Sequence, residues 1–247
     1  MKKKLALSVL SPSNRGTEAL NVVAKALMRQ DFEDFEWIIG SPQKPLGIFL
    51  EHRWIKDPPK REGDYWCLNR AYNKLISEAR GELIVSIQDN TSFDPDALSK
   101  FWFHYKNNPL AVVSGIGDKY DDDTFLNKTW QDPRKRSDIG SFYEVNFADI
   151  EFNFCAVPRK AFYDIGGFDE ELDRIGYGMD AYGVLERLSH QDSYKFYLDQ
   201  TNESFSIEHD RYGGWEKNNA IHGGYQKRRE QLIETNQWPV LNYLPLV

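Results

Sequence analysis

Apolar residues in this chain fall into short unbroken runs separated by stretches with helical spacing. Leu5 to Leu10 reads as a strand buried on both faces, and Ser11 to Gly16 as a loop rich in turn formers. Thr17 is expected to cap a helix whose Leu20, Val23, Ala24 and Leu27 line one stripe. Trp37 to Ile39 supplies a second strand that ends at Gly40-Ser41, and a strand, helix, strand passage implies a right-handed crossover in a parallel sheet. Lys44-Pro45 and Asp57-Pro58-Pro59 predict an irregular segment over 42–64. A helix resumes near Tyr65, carries Leu68, Tyr72, Leu75, Ile76 and Ala79 on one face, and stops at Gly81. Leu83 to Ile87 is the next buried strand and runs straight into Gln88-Asp89-Asn90.

Further along, the pattern predicts a helix from Pro95 through Trp102 and a strand over Ala111 to Ser114. Residues 117–140, with Asp121-Asp122-Asp123 and Arg134-Lys135-Arg136, read as a mobile polar surface loop. Strands are expected at Phe152–Val157, Tyr194–Leu198 and Ser204–Ile207, a helix from near Asp180, and a last helix around Gln226 to Thr235.

At 247 residues, one α/β domain with a C-terminal extension is the economical reading. Aromatic residues make up 14%, enough to furnish platforms for sugar rings as well as a core. The net charge of −7 disfavours a surface that holds nucleic acid or anionic lipid by charge, so nucleic acid is an unlikely partner. Lys2-Lys3-Lys4 reads as a basic leader into the first strand, and no apolar run approaches the roughly 20 residues of a membrane span. Cys67 and Cys155 are far apart and form no CxxC pair, which predicts free thiols and a cytoplasmic location.

Four places carry potential chemistry. Asp89, at a strand's C-terminal end, can hold a divalent cation or merely begin a turn. Asp180 opens an apolar helical pattern through Val184, Leu185 and Leu188, and can act as a general base or as a helix cap. Gly166-Gly167 bring backbone close to a ligand or make a tight turn. His209, directly after a strand and beside Glu208, suits a transition metal, although most single histidines bind none.

The order of these pieces resembles the inverting glycosyltransferases of family 2, with the GT-A fold, and over roughly residues 5–210 the C-terminal half is similar to the galactosyltransferase-type segment. The most specific match is Gly166-Gly167-Phe168-Asp169-Glu170. The resemblance implies an α/β domain with a mainly parallel central sheet flanked by helices, with a nucleotide-binding half at about 1–115, a catalytic half at about 141–210, and an extension over 211–247. By the family pattern, Ser11, Pro12, Asn14, Arg15, Asn69, Asn73, Gln88 and Asp89 would hold the nucleotide. Asp89, Asn90 and His209 would hold Mn²⁺ or Mg²⁺. Gly166, Gly167, Tyr177 and Gly178 would meet the acceptor, with Asp180 as catalytic base. The donor would be a nucleoside-diphosphate sugar and the acceptor a glycan or another hydroxyl. Trp130, Tyr177 and Trp215 are candidates to stack on sugar or base.

The chain departs from the pattern at three points. Gln88 and Asn90 stand where the metal motif has its outer carboxylates, Met179 precedes the base in place of Glu, and Gly40-Ser41-Pro42 lacks the Asp that reads base or ribose. A nucleotidyltransferase and a non-catalytic sugar-binding protein of the same fold are the alternatives.

Overall fold

The computed structural model describes residues 5–175, 179–208 and 214–245. In chain order the elements are β1 (Leu5–Pro12), α1 (Thr17–Leu27), β2 (Phe35–Ser41), β3 (Arg53–Lys56), α2 (Leu68–Glu78), β4 (Gly81–Ile87), β5 (Thr91–Phe93), α3 (Ala97–Asn107) and β6 (Ala111–Tyr120). There follow β7 (Lys128–Trp130), β8 (Phe142–Glu144), a 3₁₀ turn (Phe147–Asp149), β9 (Phe154–Pro158), α4 (Arg159–Asp164), a second 3₁₀ turn (Glu170–Arg174), α5 (Asp180–Ser189), β10 (Lys195–Ile207) and α6 (Gly214–Glu234).

One sheet runs through the molecule in the order β3-β2-β1-β4-β9-β6-β10-β5, with β7 on β6 and β8 on β10. The ladder β3-β2-β1-β4 is wholly parallel, as the apolar runs predict. The rest departs from a mainly parallel sheet: β9 lies antiparallel to both β4 and β6, and β5, β7 and β8 are also antiparallel to their partners. The sheet is therefore mixed, and it is continuous from β3 to β5. Tyr194–Leu198 and Ser204–Ile207 are one strand, interrupted by an irregularity between Leu198 and Glu203.

Period-two alternation sends the strand side chains to two cores. Leu10, Ile38 and Ile84 pack with Leu75 and Ile76 of α2, Phe162 of α4 and Val184 of α5. Val9, Trp37, Ile39 and Val85 pack with Leu20 and Val23 of α1 and Phe101 of α3. Each such fully buried side chain contributes about 1.5–3 kcal/mol of transfer free energy. Helices on both faces of the sheet follow directly from these continuous apolar strands.

Three local expectations change. Helix α1 starts at Thr17, but Gly16 occupies the cap position and no side chain caps it. The segment 42–64 contains β3, an edge strand. Residues 117–140 are pinned rather than free: Asp118 is buried and paired with Lys128 and with Lys135 at 3.0 Å, and buried Asp132 accepts from Gly117 N at 2.9 Å and is paired with Arg134. Both carboxyls are held below the usual range; burial opposes this, and their lysine, arginine and backbone partners outweigh it.

Candidate functional site

Because β1, β2, β3 and β4 are parallel, their C-terminal ends share one edge, the edge where open α/β sheets bind ligands. Ser13 follows β1, Gly40-Ser41 end β2, Asp57 follows β3, and Gln88-Asp89-Asn90 follow β4. Ser13 N donates to Gly40 O at 2.8 Å, and Asp57 N donates to Ser41 O at 3.1 Å, so the chain turns are stitched together along that edge.

Asp89 stands at the β4 end of this edge and is only 2% exposed. Ser13 Oγ donates to its Oδ2 at 2.5 Å, and the Arg15 guanidinium pairs with its Oδ1. Arg15 N donates in turn to Ser13 Oγ at 3.2 Å. Gly16, at φ 84°, lets the loop swing from this cluster into α1. Arg15 keeps a third of its side chain in solvent, and Asn14 beside it is exposed, so the loop offers a cation and a polar group outward from a buried carboxylate.

Asn90 adopts φ 60°, a left-handed conformation that Asn tolerates. Its N–H donates to Ala19 O at 3.0 Å, and its carbonyl accepts from Ile207 N at 2.9 Å. The end of β10 is thereby fixed at the end of β4. His209, the third expected metal ligand, lies outside the described residues, as do Tyr177 and Gly178. Among the described residues no three His, Cys, Asp or Glu side chains cluster as metal ligands.

Several residues expected at the ligand have partners within the fold. Ser11 is fully buried and its hydroxyl accepts from Trp37 Nε1 at 3.1 Å, which turns it into the core. Asn73 Nδ2 donates to Phe168 O at 3.0 Å and to Glu170 Oε1 at 3.1 Å, while its Oδ1 accepts from Phe168 N at 2.7 Å. Asn69 donates from both its backbone N and its Nδ2 to Asp173 Oδ1, at 2.9 and 3.0 Å. These two asparagines hold the 166–173 loop against α2. Gln88 is fixed by its N–H to Asn153 O at 3.0 Å, with its side chain partly exposed. Pro12 is also partly exposed at the end of β1.

The paired glycines are likewise covered. A Cβ on Gly166 would stand 1.6 Å from Leu241 O, and Gly166 O accepts from the N–H groups of Tyr243 and Leu244 at 3.0 Å. A Cβ on Gly167 would stand 2.5 Å from Asn73 Oδ1. They admit the 241–244 segment and the Asn73 side chain of α2. Phe168 is buried and stacks on Tyr72 at 4.6 Å.

Sequence reasoning missed Arg187, which is fully buried on α5. Its guanidinium donates to Ile165 O at 2.9 Å and Gly167 O at 2.5 Å, carbonyls at the C-terminal end of α4. Burial lowers its pKa to about 10, and Asp169 opposes that fall. Asp169 itself is paired with Arg228 of α6 at 2.8 Å. Arg187 and the 166–173 loop thus set the position of α5, which Asp180 opens in a partly buried setting. Asp57 was also passed over, because Asp57-Pro58-Pro59 read as part of an irregular segment.

Residues 61–166 match the family model described as Glycosyl transferase family 2. No curated protein matches the chain by sequence. Among solved structures, S. aureus TarS 1-349 in complex with UDP is similar with a TM-score of 0.58 at 12% identity, over 83% of this chain and 61% of that one. A second structure of S. aureus TarS gives 0.54 at 13% identity, over 83% of this chain and 37% of that one. The chain thus spans about three-fifths of the shorter TarS structure. Residues 61–166 are thus similar to glycosyl transferase family 2, and the mixed α/β sheet flanked by helices shares the fold of the TarS structures.

Proposed function

We propose that the protein is an inverting glycosyltransferase that takes a sugar from a nucleoside-diphosphate sugar and passes it to an acceptor hydroxyl. The observation that carries this reading is the Ser13, Arg15 and Asp89 cluster: a buried carboxylate holding an outward-facing cation at the ligand edge of a parallel sheet. Arg15 is placed to meet a diphosphate, whose charge it would neutralise as the leaving group departs. That a TarS structure of similar fold was solved with UDP supports a nucleotide ligand.

In this mechanism Asp180 accepts the proton of the acceptor hydroxyl. The freed oxygen pair forms the new bond to the anomeric carbon, and the bond to the diphosphate breaks on the opposite face. The electron pair leaves on the nucleoside diphosphate, and the anomeric configuration inverts. A carboxylate at the start of a helix is suited to a task at a cleft, since its own helix holds it rigidly.

Asp89 offers a hard carboxylate donor, and a divalent ion would take an oxygen now held by Arg15 or Ser13. A divalent ion would be held by Asp89 and the Asn90 amide oxygen, both hard donors, with His209 as the expected third ligand. When bound it would supply positive charge to the diphosphate. The unpaired thiols Cys67 and Cys155 support a reducing, cytoplasmic setting, and no helix among the described residues is long and apolar enough to cross a membrane.

Calorimetric titration of the protein with nucleoside diphosphates, with and without Mn²⁺, tests the reading. One nucleotide should bind, and Asp89→Ala should remove that binding. Failure of every nucleotide to bind the native protein would overturn it.

A further inference from the structure

The end of β2 presents no carboxylate, since Gly40 and Ser41 stand there, yet one reaches that place from the neighbouring strand. Asp57 follows β3, and its Oδ1 lies close enough to Gly40 that a Cβ on the glycine would stand 3.3 Å from it. The same Cβ would meet Leu75 at 3.0 Å, so the bare backbone at position 40 is what makes room for the carboxylate.

Oδ1 of Asp57 is buried and meets no hydrogen-bond donor among the described residues, although the residue as a whole is partly exposed. Lys74 of α2 acts on the carboxylate only through space, and its ammonium donates to Lys56 O at 2.9 Å instead. The other titratable neighbour is the Cys67 thiol, whose pKa is raised to about 11, mainly by burial and then by the charge of Asp57. Burial also pushes the Asp57 carboxyl up to about 6. A buried acceptor left without a donor is costly, and such a group at a ligand edge is explained by a donor that arrives with the ligand.

Resting on the transferase reading, we propose that Asp57 recognises the nucleobase of the donor by accepting a ring N–H, and so selects uracil or guanine over cytosine or adenine. An ionised carboxylate is an acceptor only. Uracil and guanine carry a ring N–H on the edge they pair with, whereas cytosine and adenine carry a bare ring nitrogen there, which a carboxylate repels. Spacing supports the assignment: from β3 across β2 and β1 to β4 is three strand separations, roughly 14 Å. A nucleoside diphosphate spans that edge with its base at Asp57 and its diphosphate at Arg15 and Asp89.

The test is calorimetric titration of the full chain with UDP, GDP, CDP and ADP, and with UDP methylated at N3 and GDP methylated at N1. UDP or GDP should bind best, the stronger of the two naming the base, and methylation of its ring nitrogen should weaken it by roughly tenfold or more. This arm needs no altered protein. Asp57→Asn, checked for folding by circular dichroism, should narrow the preference over CDP, because an amide both donates and accepts. Preference for CDP or ADP, or equal binding of the methylated probe, would overturn the assignment of Asp57 while leaving the transferase standing. Absence of binding by every nucleotide would instead overturn the transferase reading itself.

Discussion

Ser13 donates its hydroxyl to Oδ2 of Asp89 at 2.5 Å, joining the loop after β1 to the end of β4 across 76 positions of sequence. Asp89→Ala leaves that hydroxyl and the Arg15 guanidinium without their acceptor. Denaturant titration should show a loss of about 1–3 kcal/mol, and Ser13→Ala about 1 kcal/mol. Nucleotide affinity should fall in both proteins, and further in the first. Native affinity in Asp89→Ala would remove the residue from the site.

Asp180→Asn keeps size and helix position while abolishing the proton acceptor. The turnover number should fall by about 10²–10⁴ with little change in donor affinity. Steady-state kinetics with nucleotide titration separates the two quantities. An unchanged turnover number would assign the base elsewhere.

Gly166→Ala places a methyl group where Leu241 O lies, at a backbone φ of 70° that only glycine adopts freely. The expected loss is about 3 kcal/mol or more, since backbone strain and a collision with main chain coincide. Gly47, at φ 79° with open space around it, serves as the control and should lose only about 1 kcal/mol as alanine. Similar losses at both positions would show that the 241–244 segment gives way easily.

The folded pKa of Asp57, about 6, lies above its ordinary value of 3.8, so between those two values the folded protein binds more protons than the unfolded one. Stability contributed by this group is therefore fully present below about pH 4 and is lost as pH rises through 6. Partial exposure screens the effect, and about 1 kcal/mol is a fair magnitude. Asp57→Asn should accordingly raise Tm by about 2–4 °C at pH 7.5 and leave it unchanged at pH 4. Equal Tm values at both pH values would show that the carboxylate is not strained by burial. A side chain that weakens the fold at neutral pH is the kind that function retains.

The parallel ladder was legible because β1, β2 and β4 are buried on both faces and so appear as continuous apolar runs. Strand β3 was not, because Arg53 and Lys56 flank Trp54-Ile55 on a partly exposed sheet edge, a pattern that also suits a loop. The antiparallel direction of β9 was hidden for another reason: Phe154–Pro158 reads as a buried strand either way, and direction is set by partners that lie more than forty residues off. Asp89 was found from its place after an apolar run. Asn73 and Gly167 stood out too, but their mutual packing was not legible, since only the fold shows the amide of one filling the space left by the other. Asp57 and Arg187 carry no local signal at all, for their meaning comes from Gly40 and from the carbonyls at the end of α4.

The seating of Leu241 to Leu244 on Gly166 sets an order of events during synthesis. The chain leaves the ribosome from its N-terminus, so the strands β1 to β4 and the turn at Asp89, which needs Asn153 O and Ile207 N, can assemble once residue 207 has emerged. The turn at Gly166 must wait for Leu244, and until then the carbonyl of Gly166 lacks the backbone N–H groups of Tyr243 and Leu244. The edge that would bind nucleotide can therefore form before the segment leading to α5 is closed, and a nascent chain stalled short of residue 241 would display the first without the second.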